Sequence, residues 1–332
     1  MTPERDLAAA ALALHAAAGR VREQISRVFV GQDAVVEELL VALLAEGNVL
    51  IEGAPGLGKT TLVRALSDAL DLKFQRVQAT PDLMPADIVG TRILDEDVTS
   101  GTRRFRFERG PVFTNVLLVD EINRATPRTQ AALLEAMAER QVTLFGETHV
   151  LDDPFFVVAT QNPIEMEGTY PLPEAQLDRF LLQIDVAQPG FDALVSILTN
   201  TTGTSNARVE KVLSRDALIG SRALVRALPA SRDMIALAAR VVLATRPDDA
   251  SAPDAIKRFV RYGASPRGAQ ALLLAGKARA LLTGKLFVAE EDLARVASAA
   301  LRHRLILNFE GDAGGARRDD LVRAAFERAR TA

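Results

Sequence analysis

Along the first part of the chain, short β-like runs alternate with apolar spacings of helical period. "NVLIEG" (48–53), "FQRVQA" (74–79), "NVLLVDE" (115–121) and "FFVVATQNP" (155–163) predict four strands, and "RFLLQIDV" (179–186) a fifth. Near-continuous apolar runs such as Val116–Val119 suit strands buried on both faces. Strands alternating with helices predict an α/β fold, a parallel sheet sandwiched by helices. After "VAQPG" (186–190) the strand pattern stops. "TNTTGTSNA" (199–207) reads as an exposed loop, and beyond it "DALIGSRALVRAL", "SRDMIALAARVVLATR", "PRGAQALLLAGKARALLTG" and "AEEDLARVASAALRHRL" carry helical spacing, interrupted by "RPDDASAPD". The expected organisation is therefore an N-terminal helical segment (1–27), an α/β core (28–190), a linker (191–207) and a smaller all-α domain (208–332). Two hairpins are expected inside the core. One lies within 87–113, where "TRIL" turns at "TSG" into "RFRF"; the other lies within 139–151, where alternation runs around Gly146.

Composition narrows the chemistry. At 332 residues the chain exceeds one ordinary domain, and 48 % apolar residues suffice for buried cores. The absence of cysteine excludes disulfides, thiolate zinc sites, iron–sulfur clusters and a cysteine nucleophile. His15, His149 and His303 are scattered, which argues against a histidine-rich metal centre. The apolar run "LLVALLA" (39–45) is far too short to span a bilayer. "LAAAALALHAAA" superficially resembles the apolar part of a signal peptide. Because "MTPERD" before it has no net positive charge, an alanine-rich surface helix and a cytoplasmic location are expected. Charge is unevenly spread: residues 1–207 hold 17 Lys/Arg and 29 Asp/Glu, a net −12, and residues 208–332 hold 23 and 14, a net +9. Such a split fits acidic and basic faces meeting between copies, or two solvated surfaces of different composition. A basic half can also suggest nucleic acid. With no Trp and two Tyr, however, base-stacking platforms are scarce, and neither nucleic-acid binding nor membrane insertion is expected.

"GAPGLGKT" (53–60) matches G-x-x-x-x-G-K-[ST] between a predicted strand and a predicted helix. Glycines let the backbone curl so that its N–H groups point at phosphate oxygens, and the helix N-terminus adds partial positive charge. Gly53, Ala54, Pro55, Gly56, Leu57, Gly58, Lys59, Thr60 and Thr61 are the expected nucleotide contacts. Within that set, Lys59 would reach the β- and γ-phosphates and Thr60 would ligate Mg²⁺. "NVLLVDEINRA" (115–125) follows about sixty residues later. Its apolar run places Asp120 at the C-terminal end of a central strand, where open α/β sheets bind ligands. Asp120 would hold Mg²⁺ through water, and Glu121 would polarise the attacking water for γ-phosphate hydrolysis.

Together, "GAPGLGKT", "LLVDEINRA", "VVATQNPIEMEGTYPLPEAQLDRF" and "YGASPRGAQAL" resemble the MoxR group of AAA+ ATPases, in order over roughly residues 20–310. The resemblance implies a P-loop core followed by a helical lid, Mg²⁺-dependent ATP hydrolysis and a homo-oligomer, a hexameric ring. It gives Asn162 the sensor 1 position and makes Arg179 an arginine finger acting on a neighbouring copy; a surface ion pair with Asp178 is the alternative. Arg267 resembles sensor 2, reaching from the lid to the same nucleotide, unless it is a simple solvated arginine. Val30, Gly31 and Gln32 fall where such proteins contact adenine, and Arg124 and Arg128 are weaker candidates for subunit-contacting sensors. The first hairpin would lie near a central pore. As function, the resemblance implies chaperone-like remodelling, maturation or metal insertion of partner complexes with a von Willebrand A (VWA) domain protein. A nucleic-acid motor or loader and the ATPase subunit of a metal chelatase remain alternatives.

Overall fold

The computed structural model describes residues 3–96, 103–162, 168–202 and 208–331. Helices α1 (Pro3–Ser26) and α2 (Asp33–Leu44) lead into β1 (Val49–Glu52), α3 (Lys59–Ala69) and β2 (Phe74–Gln78). Next come α4 (Pro85–Val89), the hairpin of β3 (Gly90–Glu96) and β4 (Arg103–Arg109), then β5 (Val116–Asp120) and α5 (Pro127–Glu139). A second hairpin, β6 (Gln141–Leu144) and β7 (Glu147–Val150), precedes β8 (Phe156–Gln161), α6 (Glu174–Leu177) and β9 (Leu182–Asp185). The remainder runs through α7 (Phe191–Thr202), α8 (Arg215–Ala227), α9 (Arg232–Ala244), α10 (Asp254–Phe259), β10 (Val260–Tyr262) and α11 (Pro266–Leu282). It closes with α12 (Glu290–Leu301), β11 (Ile306–Leu307), α13 (Phe309–Ala313) and α14 (Arg318–Arg330).

The five strands expected from the apolar runs form one parallel sheet in the order β2-β5-β8-β1-β9. Side chains alternate across it with period two. Val49, Ile51, Val116, Leu118 and Val158 face one core with α1, α2 and α3. Leu50, Leu117, Val119 and Val157 face a second, with Leu133, Leu134 and Met137 of α5. Both faces are therefore dry, and each buried Leu, Ile or Val contributes about 2 kcal/mol. The first core runs on without a break into α8, α9, α11, α12 and α14. The helical part is thus fused to one side of the sheet, with α12 against β9 and α11 against α2.

Three expectations change. Residues 191–202, expected within a linker, form α7; the Thr/Asn-rich tail obscured a helical spacing of Phe191, Leu194, Val195 and Leu198. The rest of that segment, 203–207, lies outside the described residues. α1 is not a bare surface helix: Ala11, Leu14, Ala18, Val21 and Ile25 are buried, and its small side chains admit α2, α3, α8 and α11. The helical part also contains a short antiparallel ladder, β10 with β11.

The first hairpin pairs Gly90 with Arg109 through Glu96 with Arg103, and its "TSG" turn lies outside the described residues. In the second, Phe145 and Gly146 both take positive φ (53° and 82°), as a two-residue turn of matching twist requires. Isolated hairpins are marginal in water, and these two lean on each other. Arg92 meets Glu147 at 2.7 Å, and Phe107 stacks on His149 at 4.3 Å.

Candidate nucleotide site

β1 delivers the chain into the glycine-rich loop, where Gly56 (φ 79°) and Gly58 (φ 75°) take left-handed conformations that a side chain would strain. Gly58 caps α3 with no side chain of its own, leaving the N–H groups of the first turn for a ligand. The loop borders a cavity of 390 Å³ lined by Pro55–Thr61, Arg76, Gln78, Asp120, Glu121, Thr160, Gln161 and Asn162. Lys59 folds back across the loop and donates to the carbonyls of Gly53 (2.6 Å) and Ala54 (3.1 Å). Burial lowers its pKa, and Asp120 and Glu121 oppose that shift.

The acidic pair sits where β5 ends. Asp120, 7 % exposed, accepts from Thr160 Oγ1 (3.0 Å) on one oxygen. Its other oxygen accepts from Arg76 Nε (2.7 Å) and lies 3.4 Å from Thr60 Oγ1. Glu121 takes a left-handed turn (φ 56°), its N–H bonded to Thr160 Oγ1 at 2.9 Å. Its carboxylate accepts from Arg124 Nη1 (3.0 Å) and Gln78 Nε2 (3.3 Å). Asn162 lies at the end of β8 on the same cavity. Thr60 and Asp120 converge as hard oxygen donors, which fits Mg²⁺, an ion commonly held by a carboxylate and a few oxygens together with substrate phosphates. Among the described residues no group of three or more His, Cys, Asp or Glu could hold a metal on its own. In such a site Mg²⁺ would neutralise charge on the phosphates.

Several predicted residues lie elsewhere. Val30, Gly31 and Gln32 do not line the cavity. Gln32 Nε2 donates to the Ala187 carbonyl at 3.1 Å, Gly31 (φ 81°) packs against Ala193 of α7, and the preceding Phe29 packs beside Gly58. Arg124 meets Glu121 of its own chain, whereas Arg128 is exposed on α5.

The larger correction concerns Arg267. Expected over the Lys59 site of its own chain, it lines a separate depression with Arg179, Asn48, Met137, Ala138, Glu139 and Asp178. The strands explain why. Asn48 and Arg179 precede parallel strands β1 and β9, whereas the glycine-rich loop follows β1. A strand of this length spans ~13 Å, so the arginines and the loop occupy opposite ends of one sheet. Arg179 makes no ion pair with Asp178; its Nη1 donates to the Leu134 carbonyl at 2.7 Å. Asp178 accepts from Arg304 (2.7 Å) and Ser265 (2.9 Å), the N-cap of α11, with Arg267 at 4.0 Å. A wider part of the depression brings in Arg140, Arg226 and Arg304 against Glu46 and Asp178, leaving it net positive.

Sequence reasoning missed Arg76 and Gln78. Their alternation in β2 was visible, but not the register that sets Gln78 beside Asp120. It also missed a seam of charge between the α/β core and the helical part. Arg279 pairs with Glu37 (3.0 Å), Arg295 with Glu38 (3.4 Å), Arg302 with Asp185, and Arg304 with Asp178. Part of the acidic and basic split is thus neutralised within one chain. Burial pushes the Glu38 carboxyl up to about 7, with Arg295 and Arg302 opposing. His303, buried with Nε2 3.1 Å from the Phe180 carbonyl, is held well below its usual value by burial first and by Arg304 next.

A parallel sheet with a glycine-rich loop after β1 and an acidic pair after β5 defines a P-loop ATPase. Residues 48–182 match the ATPase family associated with various cellular activities (AAA), and residues 252–325 match the AAA lid domain. The chain is 41 % identical to Chaperone MoxR1 of Mycobacterium tuberculosis, over 86 % of this chain and 75 % of that protein. It is 40 % identical to the uncharacterised YeaC of Bacillus subtilis, over 93 % of each, and 34 % identical to the MoxR protein of Methylorubrum extorquens, over 94 % of each. A crystal structure of a candidate ATPase from Cytophaga hutchinsonii superposes with a TM-score of 0.90 at 34 % identity, covering 99 % of this chain and 98 % of that one. This chain belongs to the MoxR family of AAA+ ATPases. No helix among the described residues is long and apolar enough to cross a membrane.

Proposed function

We propose that the chain is an ATP-driven, chaperone-like remodeller that works as a ring, with each hydrolytic site shared between two copies. The observation that carries this reading is the placement of Lys59, Asp120, Glu121 and Asn162 at one end of the sheet and of Arg179 and Arg267 at the other. No chain can bring both sets to one triphosphate, but a head-to-tail neighbour can, and head-to-tail contacts close as rings. A hexamer is the size the family resemblance supports. In this scheme Thr60 and Asp120 hold Mg²⁺, Lys59 grips the phosphates, and Glu121 orients water once freed from Arg124 and Gln78. Arg179 and Arg267 of the neighbour neutralise charge developing on the transferred group. Asn162, beside both acids, reports whether the γ-phosphate is present. Val30, Gly31 and Gln32, held beside the loop by Phe29, are the candidate adenine contacts.

The output is a movement of the arginine-bearing helical part against the neighbouring sheet. The name of the mycobacterial relative supports a chaperone reading, and the family resemblance supports a VWA-domain partner in maturation of, or metal insertion into, an enzyme complex. ATPase assays with single-stranded DNA, duplex DNA and a VWA-domain partner test this directly. Stimulation by the partner is expected. Stimulation by DNA alone would replace this reading with that of a nucleic-acid motor.

A further inference from the structure

The carboxylate at the end of β5 already carries a cation. Arg76 Nε donates to Asp120 Oδ2 at 2.7 Å, while its Nη2 donates to Gln78 Oε1 at 2.7 Å. Sheet register produces this contact. β2 pairs in parallel with β5, Gln78 opposite Asp120, so Arg76 falls two residues back on the same face. Asp120 is almost wholly buried, and a buried carboxylate without a counter-charge is costly. The oxygen that Arg76 occupies is also the one nearest Thr60 Oγ1, at 3.4 Å, whereas the other is held by Thr160. Arg76 therefore stands on the oxygen that completes the proposed Mg²⁺ donor pair. Its side chain is 45 % exposed and lines the cavity, so it has room to leave.

We propose that Arg76 is the resident counter-cation of Asp120, and that a divalent ion arriving with nucleotide must displace it. The inference rests on the nucleotide reading of this cavity. A guanidinium and a metal ion are like charges competing for one oxygen, so Arg76 raises the metal concentration that the site needs. Without metal, the same arginine screens Asp120 from the triphosphate and supports nucleotide binding. Once displaced, it can turn its remaining donors towards phosphate oxygens, which accept guanidinium bonds readily. Arg76 acts through Asp120 and is a positioning residue.

The test uses the full chain and a fluorescent ATP analogue, with binding titrated by MgCl₂ and measured separately in EDTA. For Arg76→Gln the half-saturating Mg²⁺ concentration should fall about five- to ten-fold, while affinity in EDTA weakens by a similar factor. Opposite movements are the signature, because a general loosening of the site would weaken both. Arg76→Lys keeps the charge without the fork and should fall between. Arg64→Gln, which removes a charge stacked on Phe74, should change neither. An unchanged or raised Mg²⁺ requirement in Arg76→Gln overturns the proposal. Failure of the unmodified protein to bind the analogue at saturating Mg²⁺ would instead remove the nucleotide reading itself.

Discussion

At the C-terminal ends of β1, β5 and β8 the polar groups come from short contiguous stretches, 55–61, 120–121 and 160–162. At the opposite ends of β1 and β9 they come from positions as far apart as Asn48, Arg140, Arg179, Arg267 and Arg304. The first constellation is coded locally: glycines at positive φ, a helix start and a strand end each need only their neighbours in sequence. The second exists because the helical part docks on β9 through Arg304, which donates to Asp178 and to the carbonyls of Phe180 and Leu181. One end can cradle a phosphate chain and the other offers guanidinium groups, and no single copy joins them.

The sharpest way to break this contrast is Arg179→Ala. On the proposed role as an arginine finger, turnover should fall about 10³-fold or more, with nucleotide affinity within a few-fold. Mixing this variant with Lys59→Ala should restore some activity at hybrid boundaries; mixed rings without rescue would sink the shared site. At the other end, Glu121→Gln should lower turnover by about 10²–10⁴-fold while ATP still binds, because proton acceptance is lost and Thr60 and Asp120 are untouched. Normal turnover would take Glu121 out of the reaction.

Two smaller effects probe the docking of the helical part. Arg304→Ala should lower unfolding free energy by about 3 kcal/mol, since it strands Asp178 and several carbonyls behind a side chain that is 3 % exposed. Denaturant unfolding measures it, and a change below 1 kcal/mol would mean the pair does not anchor the lid. Glu38 gives a pH test. Its folded value near 7 exceeds the unfolded one, so the folded chain binds the extra proton between the two. That contribution is complete below about 4.5 and is lost as pH rises through about 7, a matter of ~1–3 kcal/mol. Thermal melts of Glu38→Gln should depend less on pH across this window than those of the unmodified protein.

Much of the sheet was legible because dry strands leave unbroken apolar runs, and the phosphate loop because glycine and lysine at set spacing code one backbone shape. α7 was hidden, since its apolar face precedes a Thr/Asn-rich stretch that reads as loop. The charge asymmetry was visible as a number, but its partial neutralisation along Glu37–Arg279 and Asp178–Arg304 was not, because those partners lie more than a hundred residues apart.

By itself, then, the chain of residues determined the strands, the curl of the loop and the position of Asp120 and Glu121 at a strand end, all consequences of local periodicity and local φ preferences. Only the tertiary structure decided that Arg267 sides with Arg179 and not with Lys59, and that Arg76 rests on Asp120. Strand order, register and the docking of helices set those distances, and each joins groups with no sequence neighbourhood in common.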